Sequence, residues 1–325
     1  MRHPWVSVAI KAAVTLSLLA WLLHRIDLGP LLTRLGSLDA MFAIAAIALM
    51  MVQLLLTGWR WSAIARLIGA PITPEATVRL TLIGQFFNQT LPSAIGGDAV
   101  RAWLAQREGM SLAKAVSGVF ADRVIALLLL VALVGATLPA FYTRVPSPEM
   151  RASVTALVIA TTACVVLLLA GGPFLSRLLQ RHRWTRALGT LVDDLRLVLM
   201  SPGALAIVTS AILVHLGVVS SVWLVARALA IEVSLLDCLV LVPPIVLITT
   251  LPISIAGWGV RESATVIGFG FIGVAPVDAV ALSVVFGLVQ IAIGLPGGLT
   301  WMLQRRRGDG ADQKSMQRPP RSQSP

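Results

Sequence analysis

The chain has 325 residues, 57% of them hydrophobic and 13% charged, with a formal net charge of +11. Soluble domains carry about a quarter charged residues, so this composition excludes an ordinary soluble fold. Mean hydropathy is +0.87, and the apolar residues gather in runs of roughly 18 to 24, each long enough to cross a hydrocarbon core of about 30 Å as a helix.

Six runs read as full spans, at roughly 6–23, 39–57, 117–140, 153–171, 204–226 and 279–301. Backbone groups in lipid must bond within their own segment, so the runs are predicted helices and the fold all-α. The first run follows Arg2 and is short, as in a signal peptide. No A-x-A cleavage site precedes His24-Arg25, and the run is read as a span.

Two stretches do not fit the span count. Residues 78–110 are interrupted by Pro92, Gly96 and Gly97; residues 235–274 by Pro243-Pro244, Pro252, Gly257 and Gly259. Each is either two short spans or one re-entrant hairpin. The segment 99–107 carries Arg101, Gln106 and Arg107, and 260–274 falls short of the roughly 20 residues a span needs. Re-entrant broken-helix hairpins are therefore expected, with eight spans as the alternative. Either choice adds an even number of crossings.

With a cytoplasmic N-terminus, the inside segments hold 17 Lys and Arg and the outside segments 5. The inside set includes Arg60, Arg66 and Arg101. Lys11, Arg79, Arg123 and Arg261 fall in membrane-embedded segments. This is the positive-inside pattern, so both termini are expected in the cytoplasm and the basic balance requires no nucleic acid. Residues 172–203 read as an amphipathic, basic inside loop. Residues 1–304 read as one transmembrane domain, and 305–325, with Pro319, Pro320 and Pro325, as a disordered basic tail. Cys164 and Cys238 read as small hydrophobes rather than a disulfide or metal pair.

The interruptions are related. Leu91 to Arg101 aligns without gaps on Leu251 to Arg261, sharing Leu, Pro, Ile, Gly, Val and Arg at six of eleven positions. The offset of 160 also overlays span 279–301 on 117–140. The halves, about 1–141 and 153–301, each read span, span, broken hairpin, span. A unit of three crossings returns inverted, so one hairpin enters from inside and the other from outside. Paired broken segments in inverted halves mark a transporter-type site at the midplane.

Arg101 and Arg261 sit in the first turn after each tip, where unpaired amides favour an anion and a guanidinium fork suits phosphate oxygens. Equally, each Arg can pair with a neighbouring carboxylate, Asp98 or Glu262. Asp122 and Arg123 lie within a span, where charges usually face protein. Adjacent residues point about 100° apart on a helix, so they cannot simply pair with each other. At least one is expected to reach the first hairpin, for example Asp122 to Arg101. Gln85, Asn88 and Gln89 form a polar stripe that lines a cavity or packs on another helix. His215 reads as a hydrogen-bonded packing residue. Gly268, Gly270 and Gly273 fit G-x-G-x-x-G, but follow no strand and are read as helix-packing positions. No nucleophile-elbow, zinc or EF-hand spacing occurs, so neither a metal nor another cofactor is expected, and no catalysis.

On Leu91-Pro92, Gly96-Gly97-Asp98, Arg101, Asp122-Arg123, Leu251-Pro252-Ile253-Ser254-Ile255, and Gly257 to Glu262, the chain resembles the flippase-like transmembrane region of lysylphosphatidylglycerol synthase. It departs from that pattern at Trp258, where the family has a small residue between the glycines. The resemblance covers most of residues 6–301. It implies movement of an aminoacylated phospholipid or another polar-headed lipid between leaflets of a bacterial inner membrane. It does not imply synthesis, which belongs to a further soluble domain that is not expected here. The alternative is an accessory membrane protein that docks a glycosyltransferase or other lipid-modifying enzyme through the basic loop.

Overall fold

The computed structural model describes residues 13, 15–17, 28–91, 96–182, 185–250 and 254–316. The expected first span lies mostly outside the described residues, as do Pro92 and Pro252. Among the described residues the fold is all helical. In chain order the named helices are α1 (Leu28–Gly36), α2 (Ala40–Leu67), α3 (Pro74–Thr90), α4 (Gly96–Arg107), α5 (Leu112–Arg144) and α6 (Pro148–Gln180), then α7 (Arg186–Met200), α8 (Ala204–Ala228), α9 (Leu235–Thr250), α10 (Val260–Gly270) and α11 (Pro276–Met316).

Five helices are long and apolar enough to cross a membrane: α2, α5, α6, α8 and the Pro276–Gln304 part of α11. They coincide with five of the six expected spans, and each begins or ends beyond its apolar run. Asp39, Ser111 and Ser147 accept bonds from the first-turn amides of α2, α5 and α6, fixing starts that hydropathy alone does not mark. The polar ends run on because a helix leaving lipid keeps its backbone bonds. Thus α2 continues through Arg60 and Arg66, and α6 takes up the first third of the expected inside loop.

The last helix, too, runs past the end of its apolar run. It does not end at 304 but continues to Met316. Three arginines, Arg305 to Arg307, follow directly, and Arg is a good helix former. Residues 317–325 lie outside the described residues.

The two interrupted stretches are both helix–turn–helix hairpins, α3–α4 and α9–α10. Their arms of 17, 12, 16 and 11 residues are about 26, 18, 24 and 17 Å long at 1.5 Å per residue, short of a hydrocarbon core. Contrary to the sequence reading, Pro243 and Pro244 do not interrupt the second stretch; α9 runs through both. Each proline removes one backbone bond, and a packed apolar helix tolerates that loss. The true break lies between Thr250 and Val260.

The hairpins open toward opposite ends of the bundle. At one end Asp39 N donates to Ala228 O (2.8 Å), Arg34 pairs with Asp278 (2.9 Å), and Arg144 with Asp237 (2.7 Å), beside the mouth of α9–α10. At the other, Arg79 pairs with Glu108 across the mouth of α3–α4, and Lys114 with Asp194 on α7 (3.0 Å). The core is divided accordingly. A large block joins the ends of α5 and α8 to α9, α10 and α11. Smaller blocks hold α3–α4 against Trp61 and Ala65, and α7 against Ile64 and Ile125. Outward faces stay apolar, as on α6, where Phe174 and Leu167 are exposed.

Candidate functional site

A cavity of about 720 Å³ lies between the blocks. It is bordered by both hairpins: by Gln85, Asn88, Gln89, Asp98 and Arg101 from the first, and Thr249, Ser254, Gly257 and Arg261 from the second. Arg60, Thr81, Asp122, Arg123, His215 and Gln290 also belong to its polar lining, and Leu54, Leu127, Val218 and Phe286 to its apolar part.

Glycines build the first tip. A Cβ on Gly97 would stand 2.1 Å from Gly84 O, and one on Gly84 would stand 2.6 Å from Arg101 Cγ. Only hydrogen at both positions lets the arms close and Arg101 lie across α3. Gly97 N donates to Asn88 Oδ1 (3.0 Å), so the polar stripe on α3 also ties the tip.

Five charged side chains meet there. Asp122 accepts from Arg60 Nε (2.8 Å) and, at longer range, from Arg101 Nη2 (3.5 Å). Asp98 accepts from Arg123 Nε and Nη2 (2.6 and 2.8 Å) and from Arg101 Nη1 (3.3 Å). Arg101 also stacks over Trp61 at 4.4 Å. Arg60, Arg101 and Asp122 are each 2% exposed. The Arg123 side chain is 52% exposed and forms the open face of the cluster. Both Asp122 and Arg123 therefore reach the first hairpin, since charges within an apolar helix need partners.

The second tip is chemically different. Glu262 accepts from Gly259 N (2.6 Å), capping the start of α10, and from Arg261 Nη2 (2.8 Å). Ser283 Oγ donates to Glu262 (3.0 Å) and accepts from Arg261 Nε (3.1 Å). Trp258 covers the Arg261 guanidinium at 4.6 Å. The turn holds Ala256, Gly257 and Gly259 at φ of 49°, 79° and 83°, which explains the two glycines, since a side chain is disfavoured at positive φ. Ile255 N donates to Thr15 Oγ1 (2.9 Å), so the expected first span touches this tip.

Of the described residues singled out for the site, Gln85, Asn88, Asp98, Arg101, Asp122, Arg123 and Arg261 border the cavity, and Glu262 supports the second tip. Gln85 lines the cavity, Gln89 reaches Gln290 (3.4 Å), and His215 Nε2 bonds Ala126 O (2.7 Å). Arg60 is a correction. It is no loop cation but a buried partner of Asp122; Arg101 is likewise buried. Without these two the inside count falls to fifteen against five, and the charge asymmetry persists. Of the G-x-G-x-x-G positions only Gly268 packs closely, against Ile245; Gly270 and Gly273 face open space. Sequence reasoning missed Arg60, Trp61 and Ser283. The one available signal was that Asp122, inside an apolar run, needs a nearby cation.

No curated protein and no solved structure matches the chain. The family model described as the lysylphosphatidylglycerol synthase TM region matches residues 8–298, nearly the whole helical bundle. This chain, a multi-pass membrane protein, belongs to that family.

Proposed function

We propose that the protein carries a polar-headed lipid, phospho- or aminoacyl-bearing, between the leaflets of a bacterial inner membrane, with both termini in the cytoplasm. The halves act as an inverted repeat of three crossings each, and the hairpins enter re-entrantly and gate from opposite faces. The headgroup passes through the cavity between the tips while its acyl chains stay in lipid. The lipid leaves chemically unchanged, so the protein acts as a carrier and not an enzyme.

One observation carries this reading: a single cavity touches both hairpin tips and gathers buried charge inside an apolar bundle. Buried ionisable groups at such depth are costly and mark substrate pathways. Leu54, Leu127 and Val218 on its lining suit the first methylenes of a lipid tail. The test is reconstitution into vesicles with a labelled phospholipid. Arg101→Ala and Arg261→Ala are each expected to abolish flipping while the protein still inserts and purifies as a single species. Unchanged flipping in both variants overturns the reading.

A further inference from the structure

The cluster at the first tip does not balance. It holds three guanidinium groups, on Arg60, Arg101 and Arg123, against two carboxylates, on Asp98 and Asp122. At the second tip Arg261 and Glu262 cancel. His215, also on the lining, bonds a backbone carbonyl and adds no carboxylate. Among the described residues the cavity therefore carries one surplus positive charge, and all of it sits on the first hairpin's side.

A second observation points the same way. Arg60 Nη1, Arg101 Nε and Thr81 Oγ1 are buried polar atoms without a hydrogen-bond partner among the described residues. All three residues line the cavity. Arg60 and Arg101 already share Asp122, and Thr81 lies one turn before Gly84, against which Arg101 packs. Buried donors without acceptors are rare, and an uncompensated cation away from water is more costly still. The two guanidinium atoms are donors without acceptors, the same sign as the surplus charge, whereas the Thr81 hydroxyl, like the unpartnered Ser254 Oγ at the second tip, can donate or accept.

We infer that the first-tip cluster is a binding site for one oxyanion of the phosphate class, entered at the exposed face of Arg123. This rests on the transport reading and sharpens it. The anionic part of the cargo seats on the α3–α4 side, while the Trp258-covered Arg261 serves the opposite hairpin as a neutral, self-contained pair. Arg123 grips Asp98 through Nε and Nη2, which leaves Nη1 for the incoming oxygen. Gln85 and Gln89 stand on the same lining as further amide donors.

The experiment is equilibrium binding to the full-length protein in neutral detergent. The probes are dihexanoyl phosphatidic acid, inorganic phosphate and dihexanoylglycerol. The phosphate lipid is expected to bind, and dihexanoylglycerol, the same molecule without its phosphate, to bind at least tenfold more weakly. Arg123→Gln should weaken the phosphate lipid at least tenfold, and Arg123→Lys should recover much of that loss. Asp98→Asn should tighten binding several-fold, because it raises the surplus from one to two; a purely structural cluster predicts no gain. Arg79→Gln, outside the cavity lining and paired with Glu108 at the hairpin mouth, should change nothing. Binding of inorganic phosphate alone, still lost in Arg123→Gln, upholds the oxyanion site but assigns it to a free anion and removes support from lipid transport. Equal binding by wild type and Arg123→Gln, or no preference for the phosphate-bearing probe, overturns the inference whatever the flipping assay shows. Flipping lost with phosphate binding intact counts against the transport reading alone.

Discussion

The two hairpins begin from related sequence and arrive at different chemistry. At the first tip, Arg101 divides itself between Asp98 and Asp122, and these in turn hold Arg123 and Arg60. The network ties α2, α4 and α5 together. At the second, Arg261 turns to the adjacent Glu262, with Ser283 bridging and Trp258 covering the ring-facing side. An Arg at the same offset from the break is thus a shared hub in one hairpin and a closed local pair in the other. The cause is the position of the acid. Asp98 sits three residues before its Arg and stays available to α5, whereas Glu262 follows its Arg and is drawn into capping Gly259. The repeated motif keeps the place of a charge more strictly than its partners.

The sharpest way to break this comparison is Asp122→Ala. It leaves Arg60 without an acceptor and Arg101 with one long contact, both buried. Removing one member of a buried pair costs about 3–5 kcal/mol, measured as lost unfolding free energy in detergent. A loss below about 1 kcal/mol, the scale of an exposed pair, means the network is not one unit. Gly97→Ala comes next. Its Cβ collides with Gly84 backbone, and overpacking of this kind costs about 1–3 kcal/mol. Gly257, at the corresponding offset from the second break's Pro252, has only the Thr249 side chain near its Cβ position, at 3.7 Å, so the collision is peculiar to the first tip. Trp258→Ala is smaller, about 0.5–2 kcal/mol for a lost cation–π contact, and it should leave unfolding of the first hairpin unaltered. Such independence is read by combining it with Asp122→Ala: additivity within about 0.5 kcal/mol is expected for sites with no shared partner.

Much of this architecture was legible in advance because lipid imposes strict rules. Apolar runs gave five of the described long helices, and Pro and Gly clusters gave both hairpins. Asp122 and Arg123 announced a buried network, since charges inside such a run need partners. Helix ends were less legible. Gln180 and Met316 lie in polar sequence, where lipid no longer forces the backbone to stay helical. The pair Pro243-Pro244 misled because two lost backbone bonds look like a break but are tolerated inside a packed apolar helix. Arg60 escaped because its partner lies 62 residues away on another helix, and no spacing rule joins the two. The surplus charge of the first tip emerges only once Arg60 is counted with it.

The central claim is that the two hairpins enter from opposite faces of the membrane. Two single-cysteine variants test it directly in a background with Cys164 and Cys238 replaced by Ser. One is Gln106→Cys, at the mouth of the first hairpin, and the other Glu232→Cys, beside the mouth of the second. Both positions are exposed. A membrane-impermeant thiol reagent is applied to sealed vesicles of known orientation. It is expected to label the Gln106→Cys variant from the cytoplasmic side only and the Glu232→Cys variant from the opposite side only. Labelling of both from one face contradicts the account.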